Sequence, residues 1–325
     1  MTKKNYSLYG LPEEIKFCKK CVISNQRPNS SIEFKIKDNQ KKGVAFNPDN
    51  SICDACTYNA EKNEINWKER EIELIDLLKK YKKKSGYDCV VPGSGGKDSA
   101  FTAHILKYKY GMNPLTVTWA PHMYTDIGWQ NFTNWMHVGG LDNILFTPNG
   151  KLHRTLTSLA FKNFLHPFQP FIIGQKIIGP LFASKFDIPL IFYGENQAEY
   201  GNPTNDNINP KMDEKFFSKN NNEEIVLGGE LISKIMKDYN YKLNDFEPYM
   251  PPDIDELNKK NIEQRYLGYY LKWDSQECYY YAAKHTGFRP NSERTEGTYS
   301  KYAGIDDKID NFHYYLTFIK FGIGR

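Results

Sequence analysis

The 325-residue sequence has no uninterrupted apolar run long enough to cross a bilayer as a helix. Its opening stretch, MTKKNYSLYGLPEEIKF, carries lysines but no apolar core before the first acidic residues, so it does not read as a secretory leader. A cytoplasmic location is the expectation. The net charge is only +4, a poor footprint for nucleic acid. Neither the Walker spacing nor the GxGxxG fingerprint occurs, which sets aside the commonest phosphate-binding turns. The seven histidines are scattered, and none is assigned a catalytic role. His104, His137 and His285 fall in helical patterns, where polar packing is the commoner use.

What is present is a globular balance of 40% hydrophobic and 25% charged residues, rich in tyrosine and phenylalanine. Aromatic rings can fill a core or stack on sugars and bases, and composition alone does not choose. Four of the six cysteines form two CxxC pairs, Cys18/Cys21 and Cys53/Cys56. Two such knuckles can aim four thiolates at one tetrahedral ion, and a reducing compartment disfavours disulfides. A structural Zn²⁺ held by a small ribbon is expected, with an iron–sulfur cluster or a redox dithiol as competitors. The segment between the pairs has too little core to fold alone. A zinc site can supply about 10–16 kcal/mol to such a unit. Cys89, inside an apolar strand, and Cys278, in a helical stretch, read as packing residues.

Periodicity predicts a helix within 61–84, strands at 87–92, 114–120 and 188–196, and a third strand beginning at Asp142. Helices are expected after Lys97 and over 127–138, 151–164 and 175–187. This alternation implies a parallel sheet covered by helices on both faces. Residues 202–262 turn polar and Pro-rich, with one helical patch near 229–238, and read as an insertion over the sheet edge. Helical and aromatic patterns return from Gln264. The expected division is a zinc ribbon at 1–62, an α/β core at 63–201, the insertion at 202–262 and a helical part at 263–325 that completes the site.

The most informative string is Gly93-Ser94-Gly95-Gly96-Lys97-Asp98-Ser99, between a strand and a helix. Parallel sheets place ligands at the carboxyl ends of their strands. The glycines let the backbone approach an anion, and the following helix start offers free N–H groups. Ser94 and Ser99 add hydroxyls, and Lys97 adds a charge. The string resembles the PP-loop of the ATP pyrophosphatases. That resemblance implies ATP cleaved between its α and β phosphates, Asp98 as the carboxylate on the Mg²⁺ side, and adenosine near Thr118 and Trp119. Trp119 as a core residue is the ordinary alternative.

Longer strings add a second resemblance. CKKCVISNQRP, CDACTYNAEK, TVTWAPHMYTDIGWQNF, DNILFTPNGKLHRTLTSLAF, HPFQPFIIGQK, IPLIFYGENQAEYGNP and the stretch from YLKWDSQECYYY to FIKFGIGR are similar to the N-acetyl sugar amidotransferase family. Members serve bacterial surface-glycan pathways of the pseudaminic-acid, legionaminic-acid and O-antigen types and usually continue past the GIGR string. The resemblance implies conversion of an acetamido group on a nucleotide-linked sugar to an acetamidino group, through an O-adenylate that ammonia displaces. The chain has no Gly-x-Cys-x-Gly and carries Thr2 where a second class of glutaminase has its nucleophilic cysteine. Ammonia would therefore come from a HisH-like glutaminase subunit, with a HisF-like subunit as a further partner.

Within that reading, Glu195 and Glu199 are carboxylates for Mg²⁺ or for a proton from the attacking nitrogen. Asn196, Gln197, Tyr200, Gln169 and Gln175 suit a sugar face. Arg289, Arg294 and Lys301 suit a triphosphate or a sugar carboxylate, and Lys320 suits developing phosphate charge. Loop hydrogen bonding and packing are the ordinary uses of the same residues. A tRNA-thiolating PP-loop enzyme is the main alternative, and a non-catalytic zinc-ribbon scaffold is a third.

Overall fold

The computed structural model describes residues 12, 14–27, 32–35, 43–200, 209–220 and 223–322, apart from the side chains of Gln197 and Tyr200. Helix α1 spans Asp54–Glu61, directly after Cys53, and α2 spans Trp67–Tyr81. Asn66 starts α2 by accepting the backbone N–H of Glu69, and Leu74 and Leu78 form its buried stripe. The chain then enters β1 (Cys89–Pro92), α3 (Lys97–Tyr108), β2 (Pro114–Trp119), α4 (Asp126–His137), β3 (Asp142–Phe146), α5 (Gly150–Phe164), α6 (Gln169–Lys185) and β4 (Leu190–Tyr193). A hairpin of β5 (Val226–Leu227) and β6 (Glu230–Leu231) leads to α7 (Ile232–Tyr239) and α8 (Ile254–Lys259). The chain closes with β7 (Glu263–Tyr266), α9 (Leu267–Tyr270), α10 (Ser275–Thr286) and α11 (Asp310–Phe321).

The five long strands form one parallel sheet in the order β3-β2-β1-β4-β7. This is the expected α/β class. β1 and β2 are buried along their whole length, as central parallel strands are. Alternate residues then serve opposite layers. Val90, Val117, Trp119 and Ile191 face a core shared with α5, α6 and residues 212–262. Cys89, Val91, Leu190 and Phe192 face a second core with α2, α3, α4 and α10. The order reverses beside β1: β2 and β3 extend to one side and β4 and β7 to the other. A crevice at the carboxyl ends of β1 and β4 is the consequence.

One expectation needs correction. The stretch from Gln264 does not begin as helix: Glu263–Tyr266 is a fifth parallel strand paired residue by residue with Leu190–Tyr193. Its four residues alternate half-buried and buried, with charged Glu263 and Arg265 on the outer side, and so short a period is easily missed. The described part of 202–262 contributes to the core. Met212, Phe217, Leu227, Phe246, Tyr249 and Leu257 enter the core over α5 and α6. The Tyr249 hydroxyl meets Nδ1 of His153 at 2.7 Å, fastening this segment to α5.

The cysteine module is built on short antiparallel bridges, Phe17 to Ser24 and Phe46 to Cys53. Its small core is Cys18, Val44 and Cys53. The short 3-10 turn at Glu33–Lys35 leaves this core and buries Phe34 among the side chains of the main sheet. Lys62, at the end of α1, donates to Oε1 of Glu199 and to the carbonyl of Trp273, both at 2.7 Å. The module is thus fixed to the loop that follows β4. Among the described residues, no helix is long and apolar enough to cross a membrane.

Candidate functional site

The glycine turn sits at the junction of β1 and α3. Gly93 donates to the carbonyl of Val117 at 2.9 Å, continuing the β1–β2 ladder to the edge of the sheet. Gly95 has φ of +84°, and a Cβ there would lie 2.8 Å from Cα of Phe132. Its requirement for glycine is therefore both conformational and steric. Gly96 caps α3 in an extended conformation. A Cβ on Gly96 would make ordinary van der Waals contacts with Ser94 Oγ at 3.5 Å and Asp306 Oδ2 at 3.6 Å and would clash with neither. Ser99 donates to the carbonyl of Gly96 at 3.0 Å and closes the turn.

Lys97 is buried and paired with Oδ2 of Asp98 at 2.5 Å. The other carboxylate oxygen, Oδ1, is buried and has no hydrogen-bond partner among the described residues. Ser94 donates to Oδ2 of Asp306 at 2.7 Å across 212 residues of chain. Burial, with Asp307 and Asp98 nearby and against the Ser94 hydrogen bond, pushes the Asp306 carboxyl up to about 6. Asp98 and Asp306 thus present carboxylate oxygens beside the open helix start. That donor set fits Mg²⁺, which takes one or two protein carboxylates and completes its shell with water and phosphate oxygens.

These groups open on a cleft of about 850 Å³. Its floor is the turn and the strand ends at Val117, Trp119, Tyr193 and Gly194. Gln175 and Lys176 of α6, Glu195 after β4, and Tyr299, Tyr302 and Asp306 from the C-terminal part complete its walls. Trp119 is both wall and core: its ring lies against Gly174, where a Cβ would come within 2.2 Å, and against Phe146 and Tyr249. Thr118 points to the opposite layer, where its hydroxyl accepts from the Asn143 amide at 2.9 Å.

The structure brings together the turn residues, Trp119, Gln175 and Glu195. It places the other expected residues elsewhere. Gln169 is fully buried, donating to the Glu33 carbonyl and accepting from the Gly228 N–H. Asn196 is buried and accepts from the Ala198 N–H at 3.3 Å. Glu199 is taken by Lys62. Arg289, Arg294 and Lys301 are exposed and do not line the cleft, although neighbours of Lys301 do. Lys320 donates to the carbonyl of Phe164 at 3.2 Å, away from the cleft lining. The side chains of Gln197 and Tyr200 lie outside the described residues. Sequence reasoning missed Asp306 and Lys176. Asp306 sits in a turn with no motif of its own, and Lys176 follows the noted Gln175 on a helix whose apolar pattern marks no functional face.

The four paired cysteines converge, with all sulfurs within 4.8 Å of one another. Cys21 and Cys53 sulfurs are 3.6 Å apart. Four thiolates at about 2.3 Å from a tetrahedral Zn²⁺ would sit about 3.8 Å from each other, so the cluster fits that ion. Backbone N–H groups of Lys20 and Cys53 point at the Cys18 sulfur at 3.4 and 3.3 Å. Burial opposes its ionisation, but the backbone N–H of Cys21, with those of Cys53 and Lys20, outweighs burial and brings the Cys18 thiol down to about 6. Burial raises Cys53 to about 11 and, with the neighbouring Cys21 and Cys53 thiols, also pushes Cys56 up. Cys89 and Cys278 are buried, and burial pushes both thiols up.

No family model and no curated protein matches this sequence. Among solved structures, similarity is found to an NH₃-dependent NAD synthetase from Campylobacter jejuni (13% identity, TM-score 0.30), covering 39% of this chain and 56% of that one. A predicted subunit of a tRNA methyltransferase from Methanocaldococcus jannaschii matches at 16% identity and TM-score 0.30, over 60% of this chain and 75% of that one. An NMN synthetase from Francisella tularensis matches at 12% identity and TM-score 0.31, over 79% of this chain and 96% of that one. This chain therefore spans little more than half of the Campylobacter enzyme. Similarity at this level assigns no activity, and the functional reading stands on the glycine turn and its cleft.

Proposed function

We propose that this chain is an ATP-dependent amidotransferase that converts an acetamido group of a nucleotide-linked, bacterial surface-glycan sugar into an acetamidino group, releasing AMP and pyrophosphate. The observation that carries the reading is the SGGKDS turn, open on a cleft at the β1/β4 crevice with Asp98 and Asp306 beside it. The volume suits a nucleotide lying next to part of a second substrate. The sugar itself is supported by the sequence strings shared with the amidotransferases.

An amide carbonyl is inert because its oxygen is a poor leaving group. In the proposed reaction the acetamido oxygen attacks the α-phosphorus, and the bond to the β-phosphate breaks with loss of pyrophosphate. The amide carbon then accepts ammonia, and its C–O bond breaks with the oxygen leaving on AMP. Held in line by the turn, the two reactants meet as neighbours rather than by collision. The N–H groups at the start of α3 and Lys97 stabilise charge that develops on the phosphate chain. Bound Mg²⁺ would neutralise phosphate charge, with Asp98 and Asp306 as its protein ligands. Glu195, which lines the cleft, would take the proton shed by the incoming nitrogen.

The test is incubation with ATP, Mg²⁺, ammonium and CMP- or UDP-linked diacetamido sugars, followed by mass spectrometry. Replacement of oxygen by NH lowers the sugar mass by about one dalton, with one AMP for each amidine formed, as the activation logic requires. Unchanged sugars throughout that panel would remove the sugar assignment.

A further inference from the structure

The cleft holds a second lysine that neither the motif nor the proposed chemistry uses. Lys176 lies on α6 and lines the cleft with Nζ 6.0 Å from the centre of the Tyr193 ring. Among the described residues, no carboxylate oxygen comes within ion-pair distance of it, whereas Lys97 is already matched by Asp98. Glu33 and Glu195 act on it from a greater distance. Removal from water works against its charge and outweighs these two acids, so its pKa lies below that of an ordinary lysine. A cation held in this way is incomplete without an anion.

Its position on α6 says which anion. Two residues before it, Gly174 seats the Trp119 ring. Three residues after it, Gly179 packs against Pro92 at the end of β1, where the glycine turn begins. Along the axis of α6, Lys176 thus lies between the contact with Trp119 and the contact with Pro92, where the glycine turn begins. We infer that Lys176 is a catalytic residue that contacts the α-phosphate of the bound nucleotide, from the wall opposite the glycine turn. The inference rests on the nucleotide reading of the cleft and extends it to the phosphorus at which the reaction occurs. It also gives Lys176 a role after pyrophosphate leaves, because the adenylyl phosphate would still have a protein cation beside it.

Binding by calorimetry tests this without any sugar. Adenosine, AMP and pyrophosphate are titrated into the wild-type chain, Lys176→Met and Lys176→Arg, with zinc content and melting curves as controls for folding. Lys176→Met should weaken AMP by about tenfold or more, leave adenosine and pyrophosphate within about twofold, and Lys176→Arg should recover most of the AMP affinity. Should Lys176→Met lose its cooperative melt, Lys176→Gln takes its place. Equal AMP affinity in wild type and the neutral variant overturns the inference, as does a loss confined to pyrophosphate. A wild-type chain that binds none of the three ligands instead overturns the nucleotide reading on which it rests.

Discussion

At the scale of single residues, the glycine turn separates folding from binding. Gly95 cannot carry a Cβ without striking the backbone of α4, whereas a Cβ on Gly96 makes only ordinary contacts with Ser94 and Asp306. Gly96→Ala should therefore melt within a degree or two of the parent, consistent with a surface-sized perturbation, while losing about tenfold or more in ATP affinity. Gly95→Ala should lose both. Nucleotide titration beside thermal melting distinguishes the pair, and an ATP affinity unaffected by Gly96→Ala would contradict the phosphate cradle. Asp306 gives a pH test. Its carboxyl is raised from its ordinary 3.8 to about 6, so the folded chain binds this proton more tightly than the unfolded chain does. That contribution to stability is fully present below about 4 and is lost as pH rises through about 6. Asp306→Asn should consequently be more stable than the parent at pH 7.5, by about 1 kcal/mol after allowance for partial exposure, yet need far more Mg²⁺ for ATP cleavage. The turn was legible in the sequence because its residues are contiguous and their chemistry is local. Asp306 was not, since only the fold brings it to Ser94. Arg289 and Arg294 were read as cleft residues from charge alone, and charge does not say which way a loop faces.

At the scale of elements, the cysteine module is more than an appendage. Phe34 is buried in the main core, and Lys62 is buried against Glu199 and the Trp273 carbonyl. Phe34→Ala should cost about 3–5 kcal/mol, as other buried Phe truncations do, although the residue lies outside the main sheet. Denaturant titration measures that loss, and a cost below about 1 kcal/mol would show that the module packs independently. Zinc removal should act through the same contacts. Chelation or Cys56→Ser should unfold the module and lower the midpoint of the whole chain rather than produce a separate early transition. Metal analysis alongside calorimetric melting would follow both events. The two CxxC pairs made this module recognisable because thiolate geometry is written in their spacing. The route of Phe34 was hidden, because the alternation from Ile32 to Lys37 reads as part of the ribbon and does not say that Phe34 enters the main core. β7 was hidden for a related reason: four residues alternating with charge resemble a surface turn until β4 is beside them.

At the scale of the whole molecule, the order β3-β2-β1-β4-β7 sets where chemistry can occur. The alternation of strands and helices foretold a parallel sheet, and that much was readable because β1, β2 and β4 are mostly apolar, buried runs. The cleft walls were less readable, for they come from α6, the loop after β4 and residues 299–314, regions distant in sequence. The chain should use free ammonium at high pH, where the neutral amine is abundant, and should not use glutamine by itself. Ammonia release from glutamine by the purified chain would contradict the need for a separate glutaminase. The account's central claim is that the turn before Lys97 positions ATP for cleavage between the α and β phosphates. Its most direct measurement is ³¹P NMR of ATP turnover with Mg²⁺, ammonium and the sugar acceptor, comparing the wild-type chain with Lys97→Met and Asp98→Asn. AMP and pyrophosphate formed in equal amounts, and abolished in both variants at unchanged zinc content, are the expected result; ADP and inorganic phosphate, or AMP formation that survives both substitutions, would contradict it.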